Sequence, residues 1–228
     1  MSINYKGMTE TARDVIPALA AMKYSDVKRI IESFWYHKIH LGNGFYTPGT
    51  YDMTQYLKHF PMPEDLTKKS VLEIGAADGF FSLEMARRGA KVTALDISNI
   101  QTKHMSFLCK LFNIKLKVVK GDVFQLADSS QFGSKRFDYV WATNFMQHVK
   151  PGHNVNDHTK NEFIEVIKTF AKPGCKIVIA SDVSSDIDLL RQYFDLNIVT
   201  TYTQEGFKVR TQTNHKQQIV VALMQKGK

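Results

Sequence analysis

The chain has only two cysteines, Cys109 and Cys175, in 228 residues. They lie far apart in apolar segments, which excludes a disulfide scaffold and points to buried thiols in a reducing compartment. No apolar run is long enough to span a membrane, and the N-terminus lacks a charged-then-apolar signal pattern. The expected location is cytoplasmic. No metal is expected. His153, Asp157 and His158 come closest to a ligand set, but their spacing is not that of a metal site. Repeats, low-complexity tails and a second core are also missing. Acidic residues are lacking between Ile97 and Lys120, while Lys103, Lys110, Lys115, Lys117 and Lys120 fall there. Alternating lysines of this kind suit a sheet-edge strand that must not pair with another edge. The formal net charge of +8 permits an anionic partner such as RNA without requiring one.

What is present centres on Val71-Leu72-Glu73-Ile74-Gly75-Ala76-Ala77-Asp78-Gly79-Phe80-Phe81-Ser82. An apolar run suited to a buried strand leads into glycines at Gly75 and Gly79, and a helical pattern follows. Strand, glycine turn and helix N-terminus bring backbone N–H groups close to a ligand. A second strand, Lys91–Leu95, ends in Asp96, placed to accept from ribose hydroxyls. The two features together predict a nucleoside cofactor. A dinucleotide fingerprint needs a middle glycine to admit a pyrophosphate; Ala77 stands there. Glu73 would repel phosphates and suits a cofactor carrying an ammonium or sulfonium charge. Both points count against a nicotinamide-dependent oxidoreductase, the alternative enzyme class.

Further along, Phe137–Ala142 reads as a fourth strand whose C-terminal end leads to Asn144 and His148. Strand ends of this kind bind ligands, so Asn144 is placed to touch cofactor or substrate. His148 either serves as a general base or caps the loop. A helix from Asp157 to Ala171 carries the buried stripe Phe163, Val166, Ile167 and Phe170, then turns at Lys172-Pro173-Gly174 into a strand over 176–180. Closing strands are expected over 196–201 and 218–224, separated by a polar segment with Lys208, Arg210, His215 and Lys216.

The N-terminal part reads as two helices. The first, Thr9 to Met22, is interrupted by Pro17. The second runs from Asp26 to Trp35 with Ser25 as N-cap and Val27, Ile30, Ile31 and Phe34 on one face. Residues 34–51 crowd aromatics, histidines and glycines. Leu41-Gly42-Asn43-Gly44 reads as a tight hairpin turn and Pro48-Gly49 as another turn. This stretch is either an aromatic cover packed over the sheet or part of a pocket, with Tyr36, Tyr46 and Tyr51 as substrate contacts and His37 as a candidate base. A short helix over 52–60 and the prolines Pro61 and Pro63 lead into the core. The expected division is a helical and aromatic lid over 1–63 and a cofactor-binding catalytic domain over 64–228.

Glu73-x-Gly75-x-x-x-Gly79 resembles motif I of class I S-adenosylmethionine-dependent methyltransferases. Trp35-Tyr36-His37-x-Ile39-x-Leu41-x-x-Gly44, followed by Thr47-Pro48-Gly49, is similar to a subgroup related to the tRNA wobble-uridine (carboxymethyl)transferases. The resemblance covers roughly residues 30 to 150. It implies an α/β Rossmann-like methyltransferase fold: a mostly parallel seven-stranded sheet, helices on both faces and an N-terminal helical and aromatic lid. It also implies a cofactor site of Glu73, Gly75, Ala76, Gly79, Asp96, Ile97, Asp122, Val123 and Asn144, with Asp122 accepting from the adenine amino group and the next backbone N–H meeting a ring nitrogen. The carboxymethyl enzymes carry a basic residue before the core helix, whereas Phe45-Tyr46-Thr47-Pro48 has no cation. They also have an aromatic before the fourth-strand histidine, where Gln147 precedes His148 here. Both departures favour ordinary S-adenosylmethionine. The expected activity is in-line methyl transfer to an oxygen or nitrogen, on a small molecule in preference to RNA.

Overall fold

A computed structural model describes residues 8–128, 132, 134–149, 158–181, 184–209 and 212–223. Its frame is a sheet of seven strands: β3 (Ser70–Ile74), β4 (Lys91–Asp96), β5 (Lys117–Lys120), β6 (Phe137–Thr143), β7 (Ala171–Ser181), β8 (Asp195–Val209) and β9 (Gln212–Leu223), in the order β5-β4-β3-β6-β7-β9-β8. Five of the seven form the parallel block, β5 to β7; β9 runs antiparallel to both β7 and β8. The parallel strands are covered on both faces, which is why they read as nearly continuous apolar runs. Alternate residues divide between two cores. Val71, Tyr139, Trp141 and Val178 face one core with α4 (Phe80–Arg87) and α5 (Asn99–Phe112). Leu72, Val140, Ala142 and Ile177 face the other, with α6 (Val123–Asp128), α7 (Lys160–Phe170) and α8 (Ser184–Arg191).

The chain leaves β3 toward β4 and β5 on one side, then returns to place β6 on the other side of β3. That reversal opens a crevice beyond the C-terminal ends of β3 and β6, where open α/β sheets bind ligands. At the opposite end, Asp138 accepts from the Ser70 N–H at 2.8 Å and from Lys172 Nζ at 2.9 Å, tying β3, β6 and β7 together away from the crevice. β5 is the sheet edge, with Lys117 and Lys120 exposed, as the lysine pattern predicts.

The N-terminal segment adds a layer to the α4/α5 core. Pro17 splits the first helical stretch into α1 (Met8–Val15) and α2 (Pro17–Ala20), and Arg13 bonds the carbonyls of Leu19, Ala20 and Met22 beyond it. α3 (Tyr24–Ile31) has eight residues, too few to persist alone in water. Burial of Val27 and Ile31 in the shared core, worth about 1.5–3 kcal/mol each, holds it in place. A hairpin follows, β1 (His40–Gly42) and β2 (Phe45–Tyr46), whose turn residues Asn43 and Gly44 have φ of 46° and 76° as a two-residue turn requires. A 3-10 turn spans Thr54–His59 where the short helix is expected.

Four expectations need correction. Lys23, not Ser25, precedes α3, and it makes no side-chain cap. The helix ends at Ile31, so Phe34 falls outside its period and is 65% exposed; Trp35 turns inward instead, its indole N–H bonding the Ile30 carbonyl at 2.9 Å. β7 begins at Ala171 and absorbs Pro173 and Gly174 in an irregularity of its pairing with β6. The closing strands run on through most of the polar segment, their antiparallel pairing extending from Asp195 opposite Leu223 to Val209 opposite Gln212. Lys208, His215 and Lys216 therefore lie in strands. Arg210 and the expected helix start near Asp157 fall outside the described residues.

Candidate functional site

The crevice holds a cavity of about 390 Å³. Its walls come from strand ends: Glu73, Ile74 and Gly75 at the end of β3, Leu95 and Asp96 at the end of β4, Gly121 and Asp122 after β5, Thr143 and Asn144 at the end of β6. Tyr36, His37 and Met53 of the N-terminal segment close another side, with Phe145 and His148 beside them.

The glycine turn is built by backbone conformation. Gly75, Ala77 and Gly79 have φ of 70°, 48° and 85°, a region that side chains disfavour. A Cβ at Gly75 would lie 2.6 Å from the Phe145 ring, so the glycine permits that ring to close on the turn. A Cβ at Gly79 would lie 2.7 Å from Met105 of α5. Gly79 thus serves helix packing and does not line the cavity. Asn144 also has positive φ, 54°, which Asn tolerates better than most residues, and its N–H donates to the Ala180 carbonyl at 2.9 Å.

Three carboxyl groups face the cavity. Glu73 is 2% exposed, and burial pushes its carboxyl up to about 8; the Ser82 hydroxyl donates to it and moderates the shift. Burial likewise raises Asp96, against the pull of two backbone donors, Ser98 and Ala77, each at 2.8 Å. Asp122 accepts from the Phe124 N–H at 3.0 Å. None of the lining residues is a lysine or arginine.

On the N-terminal side, burial lowers the His37 imidazole to about 4, and its Nδ1 has no hydrogen-bond partner. Burial raises the Tyr36 phenol well above its usual range. Both rings therefore present neutral groups at neutral pH. Tyr51 packs against the Tyr36 ring at 4.4 Å between centroids but is not on the cavity wall. Tyr46 is 41% exposed on the outer face of the hairpin, against His40 and Lys38; the strand alternation that turns Phe45 inward turns Tyr46 outward. Of the site residues expected from sequence, the cavity gathers His37, His148, Glu73, Gly75, Ala76, Asp96, Ile97, Asp122, Val123, Asn144 and Tyr36. It does not gather Gly79, Tyr46 or Tyr51.

Sequence reasoning missed Asp78 and His104. Asp78 is fully buried and accepts from the N–H groups of Tyr36 and His37 at 2.6 and 2.7 Å. Its other oxygen lies 2.7 Å from His104 Nδ1, and His104 Nε2 lies 2.7 Å from Ser33 Oγ. The His104 ring stacks on Trp35 at 3.8 Å. The available signal was an acid within the glycine turn and a histidine in the lysine-rich helix, with no local pattern joining them.

Residues 49–215 match a family model described as a methyltransferase domain. The chain belongs to the methyltransferase-domain family. No curated protein matches its sequence. Similar solved structures share the fold at low identity. A precorrin 8W decarboxylase from Methanobacterium thermoautotrophicum is 16% identical, with a TM-score of 0.55 over 77% of this chain and 92% of that one. A 16S rRNA N2 G1207 methyltransferase of T. thermophilus, in complex with AdoMet and guanosine, is 17% identical, with a TM-score of 0.57 over 78% of this chain and 45% of that one. This chain therefore spans less than half of that protein's length. An O-methyltransferase from Bacillus cereus in complex with SAH is 15% identical, with a TM-score of 0.51 over 68% of this chain and 74% of that one. Family and neighbours together point to S-adenosylmethionine as the cofactor of this methyltransferase. The site fits it. A carboxyl at the end of β4, a second one after β5, a glycine turn on the cavity wall and a buried acid without phosphate-binding cations match a nucleoside joined to a cationic sulfur. Among the described residues, no group of three or more His, Cys, Asp or Glu is arranged to hold a metal ion, and no helix is long and apolar enough to cross a membrane. His153 and Asp157 lie outside the described residues.

Proposed function

We propose that this methyltransferase moves a methyl group by in-line displacement to an oxygen or nitrogen of a small molecule. The observation that carries the acceptor class is the part of the wall that the N-terminal segment supplies. It is made of Tyr36, His37 and Met53, the two rings carry neutral polar tips, and no lysine or arginine lines the cavity to meet a phosphate backbone. In this reading the segment over residues 1–63 is the lid of the catalytic domain over 64–228. The exposed lysines of α5 and β5 keep the sheet edge solvated.

When bound, S-adenosylmethionine supplies a methyl on a positive sulfur, and the acceptor lone pair forms the new bond as the carbon–sulfur pair returns to sulfur. The protein's task is then mainly alignment. Asp96 would accept from the ribose hydroxyls. Asp122 and the Val123 N–H would hold the adenine. Gly75 and Ala76 would offer backbone to the cofactor, Glu73 and Asn144 would hold its amino-acid end, and Ile97 would border the base. Tyr36 and His37 shape the acceptor side and exclude water. His148 stands exposed at the cavity rim. We assign it the general-base role, since a proton it takes can pass to solvent. His37, held neutral with a basicity far below the working pH, is a poor base and a good hydrogen-bonding contact.

Calorimetric titration with S-adenosylhomocysteine, in parallel with NAD, tests the cofactor assignment: micromolar binding of the first and none of the second is expected. Labelled methyl transfer into metabolite extracts and into total RNA then separates the acceptor classes. Label in the small-molecule fraction is expected, unchanged by charge reversal at Lys103, Lys110 and Lys117. Label in RNA that the charge reversals abolish would establish the RNA-modifying alternative.

A further inference from the structure

We propose that Asp78 is a positioning residue that couples the acceptor wall to the cofactor turn, so that cofactor binding sets the placement of Tyr36 and His37. The inference rests on the reading of this cavity as an S-adenosylmethionine site.

Asp78 sits inside the turn, between Ala77 and Gly79, both in left-handed conformations. That backbone turns its side chain away from the cavity and toward the N-terminal segment. A buried carboxylate is costly unless donors surround it. Here the donors are two consecutive backbone N–H groups and an imidazole, all within 2.7 Å. Two adjacent N–H groups aimed at one oxygen form a small anion cradle. They belong to the two residues whose side chains line the acceptor side of the cavity. The imidazole is on α5, one turn from Gln101, which lines the cavity as well. Three walls, the glycine turn, α5 and the aromatic segment, thus meet at one side chain that touches no ligand itself.

The rest of the aromatic segment is fixed independently. The Tyr51 N–H donates to the Tyr36 carbonyl at 3.1 Å, and the Lys38 N–H donates to the Tyr51 carbonyl at 2.8 Å. Thr47 Oγ1 donates to the His37 carbonyl at 2.7 Å and accepts from the Ile39 N–H at 2.8 Å. Gly49 passes so close that a Cβ there would sit 1.9 Å from the His37 oxygen. These bonds make residues 36–51 one rigid piece. Within it, the N–H groups of Tyr36 and His37 reach the cofactor turn through Asp78. A shift of the turn therefore moves the whole piece, and a ligand that immobilises the turn immobilises the piece.

The test is amide hydrogen exchange, read residue by residue with and without S-adenosylhomocysteine, on the wild-type chain and on Asp78→Ala. Alanine removes both oxygens, the one that the Tyr36 and His37 N–H groups share and the one that faces His104. In the wild type, the ligand should slow exchange at Tyr36 and His37 at least tenfold. In Asp78→Ala that gain should fall below twofold, while calorimetry still registers the ligand within tenfold of wild-type affinity. An equal gain in the variant overturns the proposal, as does faster exchange spread evenly over β3 and α4, which marks general destabilisation. Absence of any calorimetric signal overturns the cofactor reading alone. The ligand-free comparison then still decides the link: at least tenfold faster exchange at Tyr36 and His37 in the variant supports it, and no change sinks it. If Asp78→Ala does not fold, His104→Gln cuts only the α5 arm. It should lower the ligand-dependent gain while leaving the two N–H groups protected without ligand, and an undiminished gain counts against the coupling.

Discussion

The Ala77 N–H donates to Asp96 Oδ2 at 2.8 Å, joining the glycine turn after β3 to the acid that ends β4. The Ser98 N–H holds the other oxygen at the same distance. Asp96 is thus oriented before any ligand arrives, with further lone pairs directed to the cavity. Each of its oxygens still accepts one more bond.

Replacing Asp96 with Ala removes that acceptor and frees the turn. Hydrogen bonds to a charged partner contribute about 1.5–3 kcal/mol, so S-adenosylhomocysteine should bind roughly ten- to a hundredfold more weakly by calorimetry. A change below twofold would show that the ribose is held elsewhere.

Gly75→Ala should be more damaging than its size suggests. A side chain at φ of 70° costs about 1–2 kcal/mol. The added methyl also meets the Phe145 ring at 2.6 Å, and that ring lines the cavity. Both the melting temperature and the ligand affinity should fall. Retention of full affinity would mean that Phe145 moves without consequence for the site.

Glu73 makes stability and binding depend on pH. Its carboxyl is raised to about 8 by burial, whereas in the unfolded chain it titrates near the ordinary value of 4.5. Between those limits the folded state holds a proton that the unfolded state has lost. Stability from this group is complete below about pH 4.5 and declines as pH rises to about 8. Urea unfolding of Glu73→Gln should show that slope removed, so that the variant gains on the wild type from pH 5 to pH 8. A ligand that brings positive charge into the cavity favours the carboxylate. Binding of S-adenosylmethionine near pH 7.5 should therefore release a proton, seen as a heat that differs between phosphate and Tris buffers. Equal heats would show that Glu73 does not sense the cofactor.

What the sequence made legible follows from range. β3, β4 and β6 are short, nearly continuous apolar runs and the buried stripe of α7 is a periodic one, each decided within a dozen residues. The ligand-facing ends at Gly75, Asp96 and Asn144 follow once those strands are placed. The Asp78 link spans 26 residues to His104 and 42 to Tyr36, and no local spacing encodes it. Phe34 and Trp35 are both large and apolar; which one turns inward depends on where α3 stops and on the indole N–H finding the Ile30 carbonyl. The same holds for Tyr46, whose side of the hairpin is fixed by a register set at Asn43 and Gly44.

The two histidines of the site should separate by their effects on rate and on stability. His37 is lowered to about 4 from 6.5 because burial disfavours its charged form. In the folded state it binds fewer protons than the unfolded chain between those values. Its contribution to stability is therefore present above pH 6.5 and lost as pH falls toward 4. His37→Gln should flatten that acid slope in unfolding experiments between pH 4 and 6.5. With the acceptor found in the extract screen, the same variant should raise acceptor KM more than it lowers kcat, because it removes a binding contact and leaves the base in place. His148→Gln should do the reverse. Loss of a positioned base costs typically 10²–10⁴-fold in rate, with calorimetric affinity for S-adenosylhomocysteine unchanged, since His148 sits at the rim. If His37→Gln instead abolishes kcat and His148→Gln spares it, the roles are exchanged. The enzyme would then retain its rate down to about pH 5, because an imidazole of that basicity stays unprotonated to there.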